Sequence, residues 1–180
     1  MAQRDSRRLF FALWPGAKVR DALFAASRAA VADCGGKPVP LENLHLTLAF
    51  LHSVKNERVA GIQEAAAEVA SRTAAFPLLV DGIGFWPRSQ ILYAGAAQPH
   101  DELDLLVHRL WQRLGRCGFT PERRVFRPHV TLARKAASGN GTLSAPVAWE
   151  VNGFSLVESI TGQRVATYQV IGSWRLGVAG

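Results

Sequence analysis

Histidine and threonine recur in this chain at one fixed spacing. His45-Leu46-Thr47-Leu48-Ala49-Phe50 and His129-Val130-Thr131-Leu132-Ala133-Arg134 agree at four of six positions and stand 84 residues apart. Five His and seven Thr among 180 residues would meet at this spacing less than once by chance, so a duplicated functional element is the first reading. Histidine titrates near neutrality and can both take and give a proton. Two imidazoles, one neutral and one protonated, can deprotonate an attacking oxygen and protonate a leaving one. Two hydroxyls beside them can donate hydrogen bonds to non-bridging phosphate oxygens, where charge must be held. The set suits phosphoryl transfer and requires no metal.

Strands would present these side chains. Residues 44–51 and 128–134 read as strands, along which side chains alternate between faces. His45, Thr47 and Ala49 then share one face, opposite Leu44, Leu46, Leu48 and Phe50. His129, Thr131 and Ala133 repeat the pattern opposite Val130 and Leu132. Each strand is anchored by one face and shows an imidazole and a hydroxyl on the other, with the small alanine leaving room for a ligand. Related by an approximate twofold, the two strands would face each other across a cleft. Arg134 has the wrong parity and reaches that cleft only if its strand ends, twists or bulges there.

Other segments alternate between helix and strand patterns. Apolar residues at helical spacing predict helices over about 16–33, 55–72 and 100–116. Strands are expected over 7–15, 76–87, 89–96, 147–159 and 164–176, with a loop at 137–141. Each half offers a helix, an H-x-T strand and a strand pair, and LVDGIGF (79–85) echoes EVNGFSL (150–156). Two related lobes packed as one unit, without a flexible linker, are the expected organisation.

A net charge of +7 and a pI near 10.2 favour polyanionic partners such as nucleic acid. No apolar run approaches the roughly 18 residues of a membrane span, and the basic start lacks a signal-peptide cleavage site. Cys34 and Cys117, each near a helix end, are expected as reduced thiols of a cytoplasmic protein. Cysteine and histidine lack the spacing of a structural zinc site, and no glycine-rich phosphate loop is present; Gly82-Ile83-Gly84 lies within a strand. No cofactor is expected.

Arg123, Arg124 and Arg127 precede the second motif and could meet an RNA strand, or form a solvated basic loop. Phe10, Phe11, Trp86 and Tyr168 could stack a base, although core packing is the commoner fate of such residues. Arg88, His100 and His108 read as surface residues, and His52, seven residues after His45, has the opposite strand parity. A metal hydrolase built on His45, His52, His100 and His129 lacks acidic partners at sensible spacing. A non-catalytic RNA-binding module would explain the charge but not two matched titrating pairs.

The motifs and their flanks resemble a known family. RLFFALWP, NLHLTLAFL, FWPRSQILYAG, FRPHVTLAR and LVESITGQRVATYQVI are similar, in that order, to blocks of the RNA 2′,3′-cyclic phosphodiesterases, the ThpR or LigT-like group of the two-histidine phosphoesterase superfamily. The resemblance covers nearly the whole chain. It implies a bilobal α+β fold over residues 1–180, with antiparallel sheets lining a central cleft and helices outside. It implies metal-independent opening of 2′,3′-cyclic phosphates on RNA ends or nucleosides to the 2′-phosphate, and, less directly, reversible 2′–5′ RNA ligation. His45 and His129 would be catalytic, with Thr47, Thr131 and Arg134 on the phosphate. His129 would serve as base and His45 as acid, in a monomer. The residues alone leave open another cyclic or 2′–5′ linked nucleotide as substrate.

Overall fold

The computed structural model describes residues 5–160 and 167–177. In chain order the elements are β1 (Ser6–Leu13), α1 (Ala17–Asp33), β2 (Lys37–Pro38), β3 (Leu46–Lys55), α2 (Val59–Ser71), β4 (Phe76–Trp86), β5 (Ile91–Gly95), α3 (Asp101–Arg116), β6 (Val130–Arg134), β7 (Gly141–Val151), β8 (Gly153–Ile160) and β9 (Thr167–Arg175). The strands form one sheet in the order β7-β4-β5-β6-β3-β1-β8-β9, with β2 paired to β6. Pairings between these strands are antiparallel. At the centre, β3 and β6 meet through the pair Leu46↔Val130. Four strands on each side of this junction make two arms, each led by one H-x-T strand. Beyond the junction β2 takes up the edge of β6, pairing Lys37 with Arg134 and Pro38 with Ala133.

The arms are not the two halves of the sequence. β4 and β5 follow the first motif yet stand beside β6, which carries the second; β8 follows the second motif yet stands two strands from β3. Both edges of β3 are already taken, by β1 and β6, so α2 carries the chain away to the other arm. The expected strand over 147–159 is also two strands. Buried positions run odd through Val147, Trp149 and Val151, then shift to include Phe154 and Leu156. The break at Asn152 sends β7 to β4 and β8 to β1. A side chain at Gly153 would run into the Trp174 carbonyl, so glycine permits this close crossing. Of the last expected strand, residues 164–166 lie outside the described residues.

The helices bury one face of the sheet. α1 packs on β7 and β6, while α2 and α3 pack on each other and on β8, β9 and β3. Leu23, Ile62, Leu103, Leu106, Leu110 and Leu114 join the inward strand residues in one core spanning both arms. Each such leucine or isoleucine contributes roughly 1.5–3 kcal/mol. The opposite face carries a smaller cluster of Phe10, Ala12 and Val157, bordered by Trp14, Phe50 and Tyr168. Cys34 and Cys117 cap the C-terminal ends of α1 and α3 and are free thiols. Among the described residues no helix is long and apolar enough to cross a membrane.

Candidate active site

Both H-x-T strands contain the same irregularity. Along β1 and β3 the partners step from Ala12↔Thr47 to Phe11↔Ala49, and along β5 and β6 from Tyr93↔Thr131 to Leu92↔Ala133. Leu48 and Leu132 are therefore extra residues, bulged at equivalent places. A bulge resets the alternation beyond it. Ala49 and Ala133, expected to line the cleft, are instead in the core at 3% and 0% exposure. Phe50 and Arg134 take their places on the face of the threonines. The parity obstacle to Arg134 is thereby removed, and its charge acts on both imidazoles. On the face of the threonines the two motifs differ here: an aromatic ring, Phe50, follows the first and a guanidinium, Arg134, follows the second.

His45 and His129 sit one residue before their strands, flanking the central pair. His45 Nδ1 lies 2.7 Å from the Asn43 carbonyl oxygen and His129 Nδ1 lies 2.8 Å from that of Arg127. A carbonyl can only accept, so each Nδ1 carries the hydrogen and each Nε2 is left as the acceptor. Antiparallel continuation of Leu46↔Val130 sets His45 beside Thr131 and Thr47 beside His129. The histidines are diagonal neighbours, a relation in which the residues stand roughly 7–8 Å apart and their Cβ atoms somewhat closer. A phosphate can be reached from both sides in such a gap.

Aromatic rings wall both imidazoles. Trp14 stacks on His45 at 5.0 Å and 5°, with Phe10 and Tyr168 each at 5.2 Å. His129 meets Trp86 and Tyr93 in T-shaped contacts, at 4.6 and 5.8 Å. Tyr93 lies over Gly84, where a Cβ would collide with its ring, which gives the G-x-G a packing role. Burial is the main cause that lowers both histidine pKa values. His45 is pushed down to about 4, with the Asn43 carbonyl opposing and the charges of Arg134 and His129 adding. His129 is lowered in the same direction, with the Arg127 carbonyl opposing and Arg134 adding.

Other sequence candidates divide cleanly. Phe10, Trp86 and Tyr168 touch the histidines, whereas Phe11 is in the core. Arg127 contributes its carbonyl, and its side chain is exposed along with Arg88, Arg123 and Arg124. His100 Nε2 lies 3.2 Å from the Leu79 carbonyl, His108 is exposed, and His52 approaches Glu122. The four histidines of the metal reading do not converge, and among the described residues no three His, Cys, Asp or Glu side chains gather as a metal site. Trp14, Phe50, Tyr93 and the carbonyl of Asn43 escaped the sequence reading. Trp14 shares the parity of Phe10 and Ala12, a signal that could have placed it on the site face.

The profile of the LigT-like phosphoesterase family matches residues 15–93 and 95–167, one H-x-T motif in each. The chain belongs to the LigT-like phosphoesterases. The RNA 2′,3′-cyclic phosphodiesterase of Escherichia coli strain K12 is 31% identical over 174 residues, 96% of this chain and 98% of that protein. That of Thermus thermophilus is 31% identical over 180 residues, 94% of this chain and 90% of its own length. The crystal structure of E. coli LigT complexed with 3′-AMP has a TM-score of 0.85 and 31% identity, covering 95% of this chain and 98% of that one. In this LigT-like chain the division between the two family matches falls inside β5, so neither match coincides with one arm.

Proposed function

We propose that His45 and His129 hydrolyse 2′,3′-cyclic phosphates on RNA ends or nucleosides to the 2′-phosphate, as general acid and base. The matched Nδ1–H anchoring of the two rings carries this reading, because it frees two Nε2 atoms on either side of one point. The names of the relatives support the substrate. Thr47 and Thr131 donate to the non-bridging oxygens, and Arg134 offsets their charge. The neutral imidazole takes a proton from water as the water oxygen bonds to phosphorus. The bond from phosphorus to O3′ breaks, and the imidazolium gives its proton to O3′. An RNA 5′-hydroxyl in place of water would yield a 2′–5′ linkage by the same transfers. The reading takes residues 1–180 as one two-lobed domain working as a cytoplasmic monomer. The core shared by both arms supports the single domain.

Turnover of the four nucleoside 2′,3′-cyclic phosphates in EDTA should proceed unimpaired and give 2′-phosphates, read by chromatography against 3′-phosphate standards. Loss of activity in EDTA with rescue by a divalent ion, or a 3′-phosphate product, overturns the assignment. Turnover only of another cyclic or 2′–5′ linked nucleotide transfers the same chemistry to that substrate.

Arg134→Met should have two effects. Loss of the guanidinium removes a stabiliser of phosphate charge, and kcat/KM should fall by about 10²–10³-fold. The same loss removes a charge that lowers both histidines, so the pH profile of the residual activity should move upward. A fall in rate with an unmoved profile would place the arginine away from the imidazoles.

A further inference from the structure

The face that carries His45 continues along β1 into a second feature. Ala12 stands opposite Thr47, Phe10 opposite Phe50, and Arg8 opposite Ser53. Contact is unbroken along this line: His45 to Phe10 at 5.2 Å, Phe10 to Phe50 at 5.9 Å, and the Arg8 guanidinium over Phe50 at 5.0 Å. From Ala12 to Arg8 is about 13 Å of strand. There the surface sinks into a hollow of about 360 Å³ whose lining includes Arg7, Arg8, His52, Ser53 and Ser159.

Three observations make this hollow suited to an anion. Its carboxylate, Glu158, already faces Arg7 at 3.7 Å, whereas Arg8 has no carboxylate partner among the described residues. A second bulge, at Leu51, holds His52 at φ +55°, with its ring in a T-shaped contact with Phe50 at 4.7 Å. A non-glycine residue in that region costs about 1–3 kcal/mol, so the rim is built rather than incidental. His52 also lies 3.6 Å from Glu122, in the loop bearing the exposed Arg123 and Arg124. Glu122 is balanced by these neighbours in sequence.

A cyclic phosphate closes the 3′ end of an RNA, so the strand can continue only through the 5′ oxygen of its last nucleoside. Guanidinium and hydroxyl groups are what a phosphodiester finds on a positioning surface. The geometry points to the Arg8 hollow as a subsite for a phosphodiester on the 5′ side of the terminal nucleotide, making an oligoribonucleotide the favoured substrate over a free nucleoside cyclic phosphate. This inference rests on the cyclic phosphodiesterase reading.

The test compares kcat/KM on a nucleoside 2′,3′-cyclic phosphate with that on di-, tri- and tetranucleotides ending in the same group. The native protein should favour the longer substrates by roughly tenfold, the size of one charged contact. Arg8→Gln should erase that advantage and lessen its salt dependence, with mononucleotide turnover unchanged. Ser53→Glu, which sets a negative charge in the hollow, should do the same by repulsion. No length advantage in the native protein, or equal losses on short and long substrates in both variants, overturns the subsite. If the native protein leaves mononucleotide and oligonucleotide alike untouched, the subsite falls together with the reading beneath it, a failure distinct from loss of the length effect alone.

Discussion

His45→Ala and His129→Ala should each lower kcat by about 10²–10⁴-fold, the scale of a general acid or base, while both variants remain folded. The two side chains lie on the open face of the sheet, and the pivot residues beneath them, Leu46 and Val130, are untouched in the core. The pH dependence supplies an independent check. Burial lowers both imidazoles in the free protein. The bell in kcat/KM, which reports free-enzyme groups, should therefore centre below the ordinary imidazole value of about 6.5. A bound phosphate anion favours the protonated rings, so the bell in kcat should lie at higher pH. Stability has its own sign. His45 is neutral in the folded state down to about pH 4, whereas the unfolded chain binds its proton near pH 6.5. Stability linked to this residue is thus present above 6.5 and lost as pH falls toward 4. In His45→Ala the urea midpoint should decline less over that window. Near-native kcat in either variant would end the two-histidine mechanism.

The grouping of His45, Thr47, His129 and Thr131 on one face is legible because its signal is local. An imidazole and a hydroxyl two residues apart share a face in any strand, and Leu46 and Val130 beside them are unmistakably core. The bulges at Leu48 and Leu132 were not legible, since an extra residue exists only relative to the partner strand. That hidden count moved Ala49 and Ala133 inward and brought Phe50 and Arg134 to the site. The exchange of strand pairs between arms was hidden for a similar reason. Nothing within residues 46–55 states that β1 and β6 will occupy both edges of β3. By contrast, the division of 147–159 into two strands was written in the parity slip between Val151 and Phe154. Phe10 and Phe11 show what alternation settles once the strand is known: adjacent rings of the same type, one against His45 and one in the core.

The assignment of acid and base turns on the difference between the two histidine environments. Their backbone anchors are the same, and in the free protein burial strips the proton from His45 down to about pH 4, which by itself would favour His45 as base. A bound phosphate should reverse the balance. In a site poor in water the attraction between an imidazolium and a phosphate anion is strengthened, so the more deeply desolvated ring gains most when phosphate arrives. Trp14 adds to this, because its face lies parallel to the His45 ring at 5.0 Å and an aromatic face attracts a cation. Trp86 and Tyr93 stand at 74° and 73° to the His129 ring, and neither lies parallel to it. On this reasoning we infer that His45 acts as the acid toward the departing O3′ and His129 as the base toward water. A phosphodiester with a p-nitrophenolate leaving group tests this, since such an oxygen departs with little need of a proton. On that substrate His45→Ala should recover most of its about 10²–10⁴-fold loss, while His129→Ala stays impaired. Trp14→Leu should depress kcat on the natural substrate and be forgiven on the activated one, in parallel with His45→Ala. Recovery by His129→Ala in place of His45→Ala would exchange the two roles and leave Trp14 as packing alone.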